Sequence, residues 1–348
     1  MRFGQRFSAG AAFVAIAAAA VAVPAVGTLA APAAADEPKA VGERSFVFDY
    51  SVEVKDIPAG AKRLDLWIPL PIEHELQSVE SVTIRTEPPV SFQSTSDPEG
   101  NRLLHITAEA PLPPSFVILV EYDIARRGAY RLHERKGGEK ELPDEWRRRY
   151  LAPDKLAPID GEVASLAKKL IDDARKAGKK VESPIEKARV FYDYVMADFV
   201  YKKEGEGWGR GDVKWCLENK YGNCSDYHST FIALCRASRI PARFTIGFPL
   251  PKDKKEGTVG GYHCWAEFYV PGTGWVPVDA SEADKNPELT EPFFGGLDEN
   301  RVQLTIGRDL TLVPPQKGDP LNFFIYPYAE VDGKKIEGAK GTFKFKDL

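Results

Sequence analysis

The chain has few cysteines and no long apolar segment beyond its N-terminus, and these two scarcities exclude several classes of protein. Four cysteines in 348 residues are far too few for a disulfide-rich scaffold. They also lack the paired CxxC spacing of common zinc sites, so neither a metal nor another cofactor is expected. If one cysteine is a free nucleophile, at most one disulfide can form among the others. The four are Cys216, Cys224, Cys235 and Cys264.

The N-terminus has the pattern of an export signal. Arg2 and Arg6 precede an uncharged apolar run over residues 11–23, and small residues end the segment at Ala35. We predict a signal peptide over residues 1–35, a secreted or periplasmic protein, and no stable membrane span after cleavage, since the run is short. A retained anchor is the alternative.

Net charge argues against nucleic acid as a partner. Without Arg2 and Arg6 the 47 basic residues fall to 45, against 51 acidic residues, which leaves a net charge of −6. A mildly acidic chain is poorly suited to nucleic acid or to an anionic membrane surface.

The first part of the mature chain has the pattern of a β-sandwich. Five segments alternate apolar and polar residues, and turns rich in proline and glycine separate them. Such spacing predicts a β-sandwich domain over residues 43–126, followed by a charged, proline-interrupted linker over 127–160. The predicted strands are residues 44–54, 62–69, 82–86, 102–107 and 116–124.

Helical patterns and then strands follow the linker. Ser183 to Glu186 is a capping box with proline at the first helical position. A helix that begins near Cys224 must end before Pro241, because the residue before a proline disfavours helical geometry. The predicted helices are residues 164–177, 184–199 and the one from 224; the predicted strands are 242–248, 262–270 and 275–280, the last two forming a hairpin.

Three residues in this part have the chemistry of a thiol enzyme. Cys224 follows the turn Gly222-Asn223 and opens a helix, whose N-terminus favours a thiolate and whose amides can bind an oxyanion. His263 and Asp279 suit the base and the carboxylate that orients it. A symmetric hairpin would set Asp279 opposite residue 266 or 267, about 10 Å from His263. A wider loop or a bulge is therefore expected to shift the pairing.

The sequence resembles a known family over GNCSDYHSTFIALCRASRIPARFTIGF (222–248) and GYHCWAEFYVPGTGWVPVDAS (261–281). These motifs are similar to the transglutaminase-like core of bacterial secreted proteins, and residues 286–330 also resemble the tail of such proteins. The resemblance implies an α+β, papain-like fold in which a nucleophile helix packs on an antiparallel sheet. It assigns Cys224 as nucleophile, His263 as base and Asp279 as third member. We predict the catalytic core over 161–285 and a C-terminal β extension over 286–348.

Nearby residues have simpler interpretations. Cys264 is expected to point to the face of its strand opposite His263 and to serve in packing. His228 lies four residues after Cys224 on the same helical face, so a Cys224–His228 dyad is an alternative to the base His263. Asp226 is interpreted as a carboxylate of the first helical turn.

These residues predict acyl transfer at an amide. Cys224 would attack a carboxamide or peptide carbonyl of a protein or peptide substrate and form a thioester. Water would then give hydrolysis and an amine would give transamidation, so a cysteine peptidase or amidase and a transglutaminase both remain open. The alternative from another class is a non-catalytic envelope protein that uses the same core for binding or scaffolding. Substrate and oligomeric state are left open.

Overall fold

A computed structural model describes residues 42–132 and 141–348 of the chain. The predicted signal peptide lies outside the described residues, as do residues 133–140 of the predicted linker. Within the described ranges, no helix has the length and apolarity needed to cross a membrane.

The described residues form a mixed structure in which most strands are antiparallel. The strands are β1 (Glu43–Val54), β2 (Arg63–Leu70), β3 (Gln77–Glu87), β4 (Ser91–Ser96), β5 (Arg102–Glu109), β6 (Phe116–Arg127), β7 (Ala129–Tyr130), β8 (Val200–Tyr201), β9 (Tyr221–Gly222), β10 (Ala242–Pro249), β11 (Glu256–Val259), β12 (His263–Val270), β13 (Gly274–Val278), β14 (Gly296–Leu297), β15 (Arg301–Ile306), β16 (Tyr328–Val331), β17 (Lys334–Ile336) and β18 (Ala339–Asp347). The helices are α1 (Asp144–Leu151), α2 (Gly161–Lys176), α3 (Pro184–Asp198), α4 (Val213–Asn219), α5 (Cys224–Ala237) and α6 (Ala280–Lys285), with a 3₁₀ turn at Pro287–Leu289.

Two five-stranded sheets form a β-sandwich with one shared apolar core. Their strand orders are β11-β18-β1-β6-β3 and β17-β16-β2-β5-β4. Alternate side chains of β1 and β6 are buried, as expected for strands with one face on a core. The apolar residues from the inner faces of both sheets belong to a single cluster. The inward residues of the two central strands are Phe46, Phe48, Tyr50, Val52, Val54, Phe116, Ile118, Val120, Tyr122 and Ile124.

Distant segments complete both sheets of this sandwich. β18 pairs with β1 over nine residues, from Phe46↔Asp347 to Val54↔Ala339, and β16 pairs with β2. Strands of the predicted C-terminal extension thus share sheets with strands of the predicted N-terminal domain. The predicted linker contains α1, whose Tyr150 is buried and packs edge-on against Trp275. The domain boundaries drawn from the sequence stay a prediction.

A four-stranded antiparallel sheet, in the order β13-β12-β10-β15, supports the helix that begins at Cys224. α5 packs on this sheet and is buried along nearly its whole length, with α2, α3, α4 and α6 around it. It ends at Ala237, before Pro241, as predicted. The predicted α+β fold, with a helix on an antiparallel sheet beside a β-sandwich, is confirmed.

Candidate active site

Two side chains hold the turn that leads into Cys224. The Asn223 side-chain oxygen accepts a hydrogen bond from the Ser225 amide at 2.9 Å, and the Asp226 carboxylate accepts one from the Asn223 amide at 2.8 Å. Together they form a reciprocal cap of α5. A Cβ at Gly222 would collide with the Asp226 carboxylate, so the turn requires glycine there. Cys224 is therefore fixed as the first residue of α5, where the helix dipole favours a thiolate.

The buried Asp226 carboxylate also holds a glycine-rich loop beside this turn. It accepts hydrogen bonds from the amides of Gly209 at 2.6 Å and Gly211 at 3.0 Å. The prediction of a first-turn carboxylate is confirmed, but this long-range contact has no local sequence signal. Asp226 thus couples the loop at residues 205–211 to the start of α5.

His263 lies between Cys224 and Asp279. Its Nε2 donates to the Asp279 carboxylate at 2.7 Å, and its interaction with Cys224 lowers the pKa of that thiol. Because Nε2 is engaged by Asp279, Nδ1 is the nitrogen that serves the thiol. The structure therefore places the three residues predicted from the sequence in one row, in which His263 is bonded to Asp279 and interacts with Cys224.

The expectation that a wider loop or a bulge shifts the pairing between the strands of His263 and Asp279 is wrong. β12 and β13 pair regularly from Val270↔Gly274 to Ala266↔Val278. Asp279 does not lie in the strand, because it is the N-cap of α6 and accepts a hydrogen bond from the Glu282 amide at 3.2 Å. Asp279 lies just past the end of β13 and takes no part in its pairing with β12. Its side chain therefore reaches His263 without any shift in register. The unpredicted helix α6 is what positions the carboxylate.

Arg301 is a buried partner of Asp279 that the local sequence motifs did not identify. Its guanidinium donates to Asp279 at 3.1 Å and to Asp298 at 3.1 Å, and it stacks 5.1 Å from the Trp265 ring centre. The signal for it was the resemblance of the 286–330 tail to family members, but only the pairing of β15 with β10 brings it to the site. Arg301 adds a second charge-assisted bond to the Asp279 oxygen that His263 uses.

The electrostatics of the three residues favour an ion pair. Burial would raise the pKa of Asp279, but His263 and Arg301 hold it far below its usual range, so the carboxylate is ionised. Burial would lower the pKa of His263, but Asp279 and Cys224 raise it to about 10. Burial opposes ionisation of Cys224 too, yet hydrogen bonds from Cys264 and His263 hold its pKa well below the usual range. These shifts favour a thiolate on Cys224 beside an imidazolium on His263.

His228 is also buried at this site but is held neutral. Its Nε2 accepts the Ala280 amide at 3.0 Å and lies 3.6 Å from Asp279. Burial lowers the pKa of His228 to about 4, although nearby Asp279 and Cys224 act against that shift. A neutral imidazole whose Nε2 is already an acceptor is poorly placed to take the Cys224 proton, which favours His263 over His228 as base.

Cys264, which was expected to point to the strand face opposite His263 and to serve in packing, lies close to the site. Its sulfur lies 3.8 Å from the Ser225 hydroxyl and 3.7 Å from His228 Nδ1, both in the first turns of α5. Cys264 is on the face of β12 that α5 covers, and His263, the first residue of the strand, reaches the site from the strand end. All four cysteines are buried and free, so no disulfide links them. Among the described residues, no group of three or more His, Cys, Asp or Glu is arranged to hold a metal.

Comparison with known proteins finds a family match over the part of the chain that holds these residues. Residues 173–280 match the family model described as the transglutaminase-like superfamily, a range that includes Cys224, His263 and Asp279. The chain contains a transglutaminase-like core. An uncharacterized protein of Haemophilus influenzae is 28% identical over 319 residues, covering 80% of this chain and 84% of the relative. An uncharacterized protein of Mycobacterium leprae, ML0607, is 27% identical over 172 residues, covering 48% of this chain and 53% of the relative.

The fold around the transglutaminase-like core also has a counterpart among solved structures. A candidate cysteine protease from Cytophaga hutchinsonii superposes with a TM-score of 0.55 at 17% identity, covering 89% of this chain and 93% of the other. At that identity the likeness shows a shared fold, which extends beyond the transglutaminase-like core to the β-sandwich.

Proposed function

We propose that this protein is an exported thiol enzyme that transfers acyl groups from an amide or peptide carbonyl through a thioester on Cys224. The observation that carries the proposal is the row formed by the Cys224 thiolate at a helix N-terminus, His263, and Asp279 at 2.7 Å from His263. This arrangement supplies a nucleophile, a proton carrier and an orienting carboxylate.

The reaction follows from the resting ion pair. The thiolate attacks the carbonyl carbon, and the developing oxyanion is stabilised by the Cys224 N–H, the first amide of α5. His263 then gives its Nδ1 proton to the leaving amine, and the C–N bond breaks to leave the thioester. Asp279 keeps Nε2–H in place throughout, so that Nδ1 stays the nitrogen that exchanges the proton.

The second half of the reaction uses the same residues. His263, now neutral, takes a proton from water or from an acceptor amine, which attacks the thioester and releases the acyl product. Water gives hydrolysis and an amine gives transamidation. Cys224 is 2% exposed and His263 is 5% exposed, so either acceptor must enter a nearly closed site.

A paired assay of peptides and amine donors tests this function. Glutamine-containing peptides are incubated with and without a primary amine, and ammonia release, peptide cleavage and amine incorporation are followed separately. Wild type and Cys235→Ala, a buried cysteine outside the row, should turn over the same substrate, whereas Cys224→Ala should not. Equal turnover by Cys224→Ala would overturn the assignment of Cys224 as nucleophile, and no product from any substrate class would favour a binding or scaffold role.

Export is tested on the protein made in a bacterial host. The mature N-terminus should be Asp36, and the protein should be recovered from the periplasm or medium. An intact N-terminus in the membrane fraction would support the retained anchor.

A further inference from the structure

Arg301 reaches the site from a strand that carries none of the three predicted residues. It is the first residue of β15, only 3% of its surface is exposed, and it lies opposite Pro249 of β10. The Asp298 carboxylate accepts hydrogen bonds from its Nε at 3.2 Å and from its Nη2 at 3.1 Å, and its guanidinium lies over the Trp265 ring. These contacts fix the guanidinium independently of Asp279.

The two oxygens of Asp279 are held at separate points. Oδ1 accepts the Glu282 amide of α6 at 3.2 Å, while Oδ2 accepts both Arg301 Nη1 at 3.1 Å and His263 Nε2 at 2.7 Å. The carboxylate therefore cannot turn without breaking a bond to a helix end or to an anchored arginine. Oδ2 thus presents one fixed acceptor to His263, which keeps the proton on Nε2 in place.

Arg301 also brings a positive charge close to His263. Both groups bond the same oxygen, so the two cations lie within about 6 Å of each other when the imidazole is protonated. Burial would lower the pKa of Arg301, but Asp298 and Asp279 raise it, so the guanidinium stays charged. Because like charges repel, the charge of Arg301 favours the neutral imidazole.

The second half of the proposed reaction needs that neutral imidazole. Water attacks the thioester carbonyl and gives a proton to His263 Nδ1, after which the C–S bond breaks. The acyl group leaves as a carboxylic acid, and Cys224 leaves as a thiolate beside an imidazolium. The charge of Asp279 favours a protonated His263, which cannot serve as the base in this step. A second cation on the same oxygen opposes that effect.

We propose that Arg301 is a positioning residue of the acyl transfer, which fixes the Asp279 oxygen bonded to His263 and, by its charge, frees His263 to accept the proton of the attacking water. The inference rests on the proposed function, since it assigns a role within the same reaction.

The other groups around His263 leave this balance to Asp279 and Arg301. The titratable or charged groups placed around it are Cys224 and His228 of α5, Cys264 of β12, Asp279 before α6, Asp298 and Arg301. Burial keeps His228 neutral and Cys264 protonated. Cys224 carries no charge once it is a thioester. The proton affinity of His263 in the acyl-enzyme is therefore set by Asp279 and by Arg301 with its partner Asp298.

The test is the pH dependence of deacylation with p-nitrophenyl acetate, because the steady rate after the burst measures water attack on the acetyl-enzyme. That rate should rise with pH as His263 in the acetyl-enzyme loses its proton. Arg301→Gln removes the charge and should raise the midpoint of this profile by about one unit, so that deacylation at a pH below both midpoints is about tenfold slower. Arg301→Lys keeps the charge and should restore most of the midpoint.

Two further variants separate charge from packing. Asp298→Asn keeps an oxygen for Arg301 but removes the charge that offsets it, so the midpoint should fall by about half a unit. Arg236→Gln removes another buried arginine, which pairs with Asp154 at 2.8 Å, and should leave the midpoint unchanged. Near-ultraviolet circular dichroism confirms that each variant is folded, and Asp298→Asn alone decides the outcome if Arg301→Gln does not fold.

The outcomes separate this inference from the proposed function. A wild-type burst on Cys224 with a midpoint that Arg301→Gln leaves unchanged would overturn the role of Arg301 alone. Equal upward shifts in Arg301→Gln and Arg301→Lys would also overturn it, as would an unchanged or raised midpoint in Asp298→Asn. A wild type without a burst, or a burst that survives in Cys224→Ala, would instead defeat the proposed function.

Discussion

The interior of the β-sandwich and the surroundings of α5 are equally buried, yet they differ in what fills them. The inward positions of β1 from Phe46 to Val54 and of β6 from Phe116 to Ile124 are all aromatic or aliphatic, and the buried Arg126 lies beyond them near the end of β6. The first two turns of α5 instead bury Ser225, Asp226, His228, Ser229 and Thr230, all with at most 1% of their surface exposed. Both regions are closed to water, but only one of them is built from polar groups.

That difference separates a region whose burial stabilises the fold from a region whose burial arranges groups for chemistry. An apolar core is stabilised in proportion to the area it buries, and many side chains of the right size would serve. A buried polar group costs free energy unless a partner satisfies it. The partners at the site come from far along the chain, as with Asp226 and Gly209 or Asp279 and Arg301. Burying such a polar network costs stability, and the proposed reaction explains why the protein keeps it.

The largest effect is expected from the base in the polar region. His263→Ala should lower the rate of acyl transfer on the order of 10³-fold or more, since removing one member disables a catalytic unit. The measurement is the rate of thioester formation by each variant at a saturating concentration of one accepted substrate.

His228→Ala is the matched control for that prediction. It removes a buried histidine from the same site, but one that serves only to orient neighbours, so a loss of about tenfold or less is expected. An inactive His228→Ala beside a near-normal His263→Ala would replace the assignment with the Cys224–His228 dyad.

A substitution in the sandwich core should have the opposite signature. Ile118→Ala should lower the free energy of unfolding by about 2–5 kcal/mol and leave the alkylation rate of Cys224 in the folded protein unchanged. Val117, its neighbour on β6, is 41% exposed, and Val117→Ala should change stability by less than about 0.5 kcal/mol. Urea unfolding at neutral pH measures both, and a slower Cys224 in Ile118→Ala would show that the two regions are coupled.

A smaller effect is expected when acid lowers the stability of the folded protein, and this loss should arise in the polar region around α5. The pKa of His228 is about 4 in the fold and near 6.5 in the unfolded chain, so the unfolded state binds the proton first. Stability is then lost as pH falls from 6.5 toward 4, and His228 accounts for about 2 kcal/mol of that loss between pH 7 and pH 5.

His228→Gln isolates this contribution. Glutamine can still accept the Ala280 amide but does not titrate, so the variant should lose less stability between the two pH values in urea unfolding. The same loss in wild type and variant would assign the acid sensitivity to other groups.

The two regions also differ in how far the sequence predicts them. Alternation and turn residues predicted β1, β2, β5 and β6 to within a few residues because one apolar face produces a period of two. β4, SFQSTS, was missed because it is an exposed edge strand without an apolar face. For the site, the turn before Cys224 and the family motifs were enough to nominate Cys224, His263 and Asp279.

The remaining features of the site depend on tertiary contacts that no local pattern encodes. Cys264 lies close to α5 because the helix covers its face of β12. Asp279 reaches His263 because it caps α6. Arg301 enters through a strand that is distant in sequence and pairs with β10. Polar partners of this kind have no periodicity, so a single sequence cannot pair them.

The central claim is that the buried polar region is a thiol acyl-transfer site, and a burst experiment with a p-nitrophenyl ester tests it most directly. An activated ester bypasses the need to know the natural substrate, because any competent thiolate nucleophile should be acylated. The account predicts a rapid release of one nitrophenolate per chain, with the acyl group found on Cys224 by peptide mass spectrometry and no burst in Cys224→Ala. A burst that survives in Cys224→Ala, or an acyl group found on another residue, would contradict it.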